Sequence, residues 1–510
     1  MSTLVALPVL LPLLAAALSL VAGPIAAVQR VLSVSVLTAI AAVAGALLVA
    51  ADRGAPVVLR VGGYAPPMGI TLVADRLAAL LLLVSIVVML GVLVFAIGQR
   101  ASDHGPRSAS VAFHPMYLVL SAGVSLAYLT GDLFNLFVAF EVMLSASYVL
   151  ISRRTNAPRV RASMTYVIVS LTSSLLFLTM VAFVYAATGT VNLADLSGRI
   201  DALPEGAKAG LALLMVVVFG IKAAVVPLHF WLPDSYPTAP TPVTAVFAGL
   251  LTKVGVYAII RTQTLLFGEH GDWAFLLAVA LLTMLVGALG AIAQNDLNRM
   301  LSFLLVSHIG YMLFGLALFT VAGLTGVILY VVHHIAVQAA LFLVSGLVTR
   351  HTGTASLRDM SGVARTHPRV AALFALPALS LAGLPPLSGF VAKVVLLRAG
   401  AEVATPMAYV VTAAAVLTSF LTLYAMARVW VSAFWGEPSP PVPDVDPTDE
   451  VTVGTGVTSK PMLASAGGVV VAGLAVAALA GPLSTLSERA ATDLLDRGPY
   501  RAAVLEGSSG

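Results

Sequence analysis

The sequence predicts an all-α polytopic membrane protein with about 14 transmembrane helices. Three observations predict it. Of its 510 residues, 59% are hydrophobic and only 10% are charged, against about 25% charged in an ordinary soluble domain. The apolar residues form long unbroken runs, where a transmembrane barrel would alternate apolar and polar positions. Nearly all the Lys, Arg, Asp and Glu side chains fall between these runs or near their ends. Such a composition excludes a soluble enzyme, a disordered chain and a nucleic-acid binder. The absence of cysteine excludes disulfides, thiolate zinc sites and iron–sulfur ligation by this chain. No glycine-rich phosphate loop occurs, so no nucleotide or other cofactor is expected. The net charge of +4 reads as loop charge that sets orientation.

A spanning helix needs about 20 apolar residues. Runs of that order lie at 3–23, 31–51, 76–98, 114–131, 132–152, 162–187, 209–231, 241–262, 273–293, 300–319, 321–349, 369–398, 405–433 and 462–482. The first has no basic n-region and is read as a retained helix rather than a cleaved signal. The expected organisation is an N-terminal group of spans 1–3 (1–110), a five-span unit (111–262), a second five-span unit (263–436), an acidic proline-rich loop (437–461) and a last span with its tail (462–510). The loop holds Pro438, Pro440, Pro441, Pro443, Asp444, Asp446, Asp449 and Glu450, a composition for an exposed linker. Outside Lys222, Lys253 and Lys393, the basic residues split 14 to 10 between the two sides. The richer side carries Arg153, Arg154, Arg159, Arg161, Arg350, Arg358, Arg365 and Arg369. Placing it in the cytoplasm puts both termini outside.

Four ionisable residues remain inside spans: Glu141 in the fifth, Lys222 in the seventh, Lys253 in the eighth and Lys393 in the twelfth. The chain has only five lysines, so most of its lysine is in the membrane while arginine carries the loop charge. Lysine can release its proton and arginine effectively cannot. Each such group costs at least about 2.5–3.5 kcal/mol at mid-bilayer. They must therefore face a bundle interior, water or one another. The competing readings are snorkelling for the lysines and a purely structural ion pair for Glu141. The functional reading is a proton relay, with Glu141 near Lys222 switching that lysine between holding and releasing its proton.

Two spans carry proline where a helix should continue. Lys222 is followed by Pro227 and Pro233, and Gly383-Leu384-Pro385-Pro386 precedes Lys393. Proline frees a helix carbonyl, which a bilayer tolerates only against protein or a wet cavity. A packing kink is the plainer reading, and a lysine beside each break weighs against it. The breaks fall fourth in spans 4–8 and fourth in spans 9–13. Five spans per unit is an odd number, so the two units form inverted repeats, each with a broken helix. His333 and His334 lie midway in the eleventh span. Histidine titrates near neutrality, and neighbours on a helix point about 100° apart, so one of the two is expected to face the cavity, with His334 favoured. An adjacent pair on one helix chelates a metal poorly, so no metal site is expected. His229 and His308 are placed near span ends, where they either gate access or satisfy backbone carbonyls.

The stretch 229–242, HFWLPDSYPTAPTP, followed by Leu250-Leu251-Thr252-Lys253-Val254-Gly255, resembles the signature of the proton-translocating antiporter-like subunits. That family is shared by respiratory complex I and the Mrp-type multisubunit Na+/H+ antiporters. Asp296-Leu297-Asn298-Arg299, Ser307-His308-Ile309-Gly310-Tyr311 and Gly383-Leu384-Pro385-Pro386 fit the same pattern, and residues 140–150, FEVMLSASYVL, most resemble its Mrp antiporter branch. The resemblance implies a relay through Glu141, Lys222, Lys253, His334 and Lys393. It also implies hetero-oligomeric membrane partners, H+ and Na+ as the transported ions, and a multi-pass place in a bacterial plasma membrane. Many relatives carry a lysine where this chain has Gln338. Glutamine takes up no proton, so the central path is expected to use His333 or His334 and water. The alternative is a proton-pumping subunit of a complex I-type NADH:quinone oxidoreductase or a membrane hydrogenase, with the same residues driven by redox partners.

Overall fold

The structure, a computed structural model, describes residues 1–23, 25–99, 112–152, 157–268, 273–437 and 458–506. Residues 438–457 of the acidic proline-rich loop, and Arg153 and Arg154, lie outside the described residues. The chain is an all-α polytopic membrane protein. Among the described residues, 12 helices are long and apolar enough to cross a membrane, and two shorter apolar helices, Phe113–Leu129 and Pro368–Ala382, coincide with the fourth and twelfth predicted spans.

In chain order the helices begin with α1 (Leu7–Val21), α2 (Ala26–Arg53), α3 (Arg76–Gly98), α4 (Phe113–Leu129), α5 (Leu133–Ile151) and α6 (Ala157–Thr188). Next come α7 (Leu193–Asp201), α8 (Glu205–Ala223), α9 (Thr241–Phe267), α10 (Trp273–Ile292), α11 (Leu297–Ala317) and α12 (Val321–Thr352). The last group is α13 (Pro368–Ala382), α14 (Ser388–Val403), α15 (Pro406–Phe434), α16 (Lys460–Ala478), α17 (Ala480–Leu495) and α18 (Arg497–Leu505). A short antiparallel hairpin, β1 (Val57–Arg60) with β2 (Thr71–Ala74), pairs Val57 with Ala74 and Arg60 with Thr71 between α2 and α3.

Burial sorts the helices. In α9 and α12 the apolar windows are wholly buried, and in α11 nearly so, whereas α2 and α16 bury about a third of theirs. Polar side chains on these three central helices, among them Lys253, His308, His333, His334 and Gln338, are therefore fully buried. Close packing at the centre uses glycine. A Cβ on Gly255 would stand 2.7 Å from the Ala223 nitrogen, so α8 and α9 touch backbone to backbone. Gly249 faces Ala339 and the Ile335 carbonyl on α12.

One local construction occurs twice. Asp132 caps α5 by accepting from the Asn135 N–H, and Asp296 caps α11 by accepting from the Arg299 N–H; a carboxylate at this position satisfies an orphan helix donor. Asp132 forms an isolated backbone bridge to Asn192, and Asp296 forms one to Ser356. The Leu133 N–H donates to the Val191 carbonyl and the Leu297 N–H to the Ala355 carbonyl. Each partner segment follows a Thr-Gly-Thr turn whose glycine has positive φ, +72° at Gly189 and +76° at Gly353, where a side chain would be strained. Thr188 and Thr352 each donate back to the carbonyl four residues earlier.

Candidate functional site

The first break follows Lys222 directly. Helix α8 ends at Ala223, Ala224 adopts a left-handed conformation (φ 61°), and the Val225 N–H closes on the Gly220 carbonyl. The Ile221 carbonyl is taken by the Trp231 indole at 3.1 Å. Lys222 thus occupies the last turn of a helix, where the dipole favours a cation. The apolar run of the seventh span extends to 231; the structure ends the helix at 223, and the segment carrying His229 continues outside it.

Lys222 is 7% exposed, Lys253 0% and Lys393 4%, so none of the three snorkels. Each donates to a backbone carbonyl. Lys222 Nζ reaches the Ser170 carbonyl at 3.4 Å and Ser174 Oγ at 3.2 Å. Ser174 in turn donates to Glu141 Oε1, so the predicted Glu141–Lys222 neighbourhood exists with a serine hydroxyl between the charges. Glu141 itself is only partly buried. Lys253 donates to the Ala248 carbonyl, which lies in a π-helical turn at Phe247–Leu251. Such turns displace the regular hydrogen-bond ladder and leave a carbonyl available.

At the second break, α13 ends at Ala382 and Gly383 takes φ +91°. Lys393 returns from α14 to place Nζ 2.9 Å from the Leu381 carbonyl and 3.0 Å from that of Ala382. Its ammonium also lies 5.0 Å from the Tyr311 ring. The lysine therefore satisfies carbonyls that the break leaves without helix donors.

Between the lysines lies an aromatic and imidazole stack on α11 and α12. The His334 ring centroid is 5.3 Å from that of His308, and the Tyr330 hydroxyl is 2.5 Å from His308 Nδ1. Tyr330 stacks on Tyr311 at 5.1 Å. Both His334 nitrogens are buried without a hydrogen-bond partner. His333 is not turned away from the polar interior: its Nδ1 is 2.9 Å from Ser388 Oγ at the second break. The expectation that one of the two histidines faces the site gives way to both doing so on different sides. His308 is also not near a span end. It is fully buried midway along α11. His229 is half-buried beside the first break, with its Nδ1 unpartnered. Gln338 donates to the Leu301 carbonyl at 3.0 Å, and its carbonyl oxygen has no partner.

A cavity of about 20 Å³, room for a single water, adjoins Lys222 and is lined by Phe140, Tyr166, Ser170, Ser173, Trp231 and Tyr236. The Ser173 and Tyr236 hydroxyls are buried there without partners. Among the described residues no three His, Asp or Glu side chains converge as a metal site. Sequence reasoning missed Ser170, Ser174, Tyr330 and Ser388. Hydroxyls are common on membrane helices, and nothing in spacing alone separates these from the rest.

A family model described as NADH:quinone oxidoreductase/Mrp antiporter, transmembrane, matches residues 130–422, a span that holds Glu141, all three membrane lysines, and His333 and His334 of α12. The chain belongs to this family. Its antiporter-family relatives include the D subunit of the Na+/H+ antiporter of Alkalihalophilus pseudofirmus, 41% identical over 86% of this chain and 88% of that protein. The corresponding D subunit of Bacillus subtilis is 37% identical over the same shares. Among solved structures, a chain of the Mrp complex from Dietzia sp. superposes with a TM-score of 0.90 at 36% identity, covering 99% of this chain and 100% of that one. A chain of an archaeal membrane-bound sulfane sulfur reductase shares the fold at a TM-score of 0.86 and 24% identity, covering 99% and 100%.

Proposed function

We propose that this antiporter-family chain translocates protons as a membrane subunit of a multisubunit Na+/H+ antiporter. The observation that carries the reading is the burial of three lysines in membrane helices, each on a backbone carbonyl, two of them at helix breaks. A carbonyl stabilises an ammonium and is satisfied again by water or a neighbour when the amine turns neutral, so each lysine can alternate between charged and uncharged states. The antiporter relatives and the Mrp complex support Na+ as the counter-ion and other membrane subunits as partners.

On this reading the order of groups is Glu141, Lys222, Lys253, His334 with His308, and Lys393, with His333 and Ser388 flanking the last. Gln338 orients the helices and carries no proton. The duplicated Asp-capped, Thr-Gly-Thr construction and the two lysine-bearing breaks support the division into inverted repeats at 111–262 and 263–436. The excess of basic residues around 153–161 and 350–369 supports a cytoplasmic place for that side and outside termini, in a bacterial plasma membrane.

The test is Na+-dependent proton movement in everted vesicles carrying the whole complex. Glu141→Ala and Lys222→Ala are expected to abolish it with the complex still assembled. Full transport by either variant overturns the relay. Flavin or iron–sulfur absorbance in the purified complex would favour the redox-driven alternative.

A further inference from the structure

Helix α6 carries Ser170, Ser173 and Ser174 at i, i+3 and i+4, hence on one face. Hydroxyls on a membrane helix commonly turn back to the carbonyl four residues earlier. Thr165, Thr172 and Thr179 of the same helix do so. Ser174 does not. It donates to Glu141 Oε1 from α5 and accepts from Lys222 Nζ of α8 at 3.2 Å. Two opposite charges from different helices therefore meet on a single hydroxyl of a third. The Ser170 carbonyl, one turn earlier, takes a further N–H of Lys222 at 3.4 Å and fixes the ammonium against α6.

We propose that Ser174 is the proton bridge between Glu141 and Lys222, an inference that rests on the relay set out above and adds a residue to it. A serine hydroxyl donates and accepts at once. In the forward step an N–H bond of the Lys222 ammonium breaks as an O–H bond forms on Ser174 Oγ. The original Ser174 O–H bond breaks as Glu141 Oε1 gains the proton. The products are a neutral amine, a neutral carboxylic acid and an intact serine. The trio carries zero net charge before and after, so the exchange moves no net charge into the apolar interior. The reverse step regenerates the ion pair. Serine has three staggered χ1 positions, and leaving the observed one breaks both contacts together. The bridge is thus a connection that can be opened without moving either charged helix.

The test measures initial rates of Na+-dependent proton movement in everted vesicles holding the whole complex, across pH and in H2O and D2O. Ser174→Ala is compared with Ser174→Thr, which keeps the hydroxyl. Assembly is followed by co-purification of the other subunits, and Ser174→Gly serves as a second hydroxyl-free variant should alanine disturb assembly. The alanine or glycine variant is expected to fall roughly tenfold or more, with a displaced pH profile and a reduced solvent isotope effect. The threonine variant is expected to stay within about threefold of wild type with the original profile. A hydroxyl-free variant with wild-type rate and pH profile overturns the bridge. Equal losses in the hydroxyl-free and threonine variants, with assembly intact, overturn it too, because the hydroxyl is then not what matters. Neither result touches the relay reading, which fails only if Glu141→Ala or Lys222→Ala transports normally.

Discussion

Asp75 and Arg261 are 6% and 5% exposed, and they pair at 2.6 Å where the end of α9 meets the start of α3. Asp75 also caps α3 through the Ala78 N–H, and the Arg261 guanidinium lies over the Tyr257 and Tyr500 rings at 5.4 and 5.3 Å. Removing one member of a buried pair leaves the other charge without compensation, at a cost of about 3–5 kcal/mol. Replacing both by apolar groups is often close to neutral. Asp75→Ala is therefore expected to be much worse than Asp75→Ala combined with Arg261→Met. At about 2 °C per kcal/mol, the low end of the size scale, the single variant should lower the apparent melting temperature by roughly 6–10 °C. The double variant should recover at least half of that. Heating the detergent-solubilised complex before size-exclusion chromatography reads both numbers. If the single and double variants melt together, the uncompensated charge is not the source of the cost, and the reasoning fails.

Burial pushes the Asp132 carboxyl, at the cap just before α5, up to about 6 from its ordinary 3.8. A raised pKa means the folded state holds its proton more tightly. The associated stability is fully present below pH 3.8 and is lost as pH rises through about 6. Asp132→Asn keeps an acceptor for the Asn135 N–H and removes that dependence. Its melting curve should be flatter over this window and higher at pH 7, by up to about 3 kcal/mol. An unchanged pH slope refutes this. Gly255→Ala forces a Cβ to 2.7 Å from the Ala223 nitrogen and 3.0 Å from the Lys222 carbonyl carbon. It should cost about 1–3 kcal/mol and depress transport by displacing Lys222, as melting and vesicle assays would show. Lys393→Met keeps length but removes the cation from the Leu381 and Ala382 carbonyls. Transport should be lost while the complex assembles, and more than half-maximal transport removes Lys393 from the path.

Fourteen apolar runs are legible because membrane length and hydropathy leave few alternatives; among the described residues 12 of them meet helices long enough to span, the fourth meets a shorter one, and the twelfth is divided between α13 and α14. The breaks are legible in position, since Pro227 and Pro385 mark them. The stopping point at Ala223 is not, because a left-handed alanine carries no sequence signal. The four ionisable residues read inside spans, Glu141, Lys222, Lys253 and Lys393, stand out against the apolar background. Their partners do not: Ser174 looks like Thr172 or Thr179 until its direction is known. The π turn beside Lys253 holds Gly249, and a lone glycine in a helix does not by itself mark such a turn. His308 is central in the apolar run 300–319 just as it is in α11, so its mid-helix place is legible in the sequence and the near-end reading does not follow from the run. The hairpin at 57–74, helices α7 and α18, and all but the first residues of α17 lie outside the apolar runs, and a scan for spans passes over them.

The C-terminal helices α17 and α18 fold back onto the first half of the chain. Arg489 reaches Asp52 at 2.7 Å, Asp493 reaches Arg76 at 2.5 Å, Arg497 reaches Asp201 at 3.3 Å, and the Val504 carbonyl accepts from Arg60 at 3.3 Å. These attachments include the ring of Tyr500 that covers Arg261. During synthesis, Arg261 is inserted long before residue 500 leaves the ribosome. The first half of the protein must then wait, with one face unfastened, until translation has passed α18. A chain interrupted between α17 and α18 keeps its spans and the Arg489 and Asp493 attachments yet loses those of Arg497, Tyr500 and Val504, so the seam is only partly fastened and Arg261 stays uncovered.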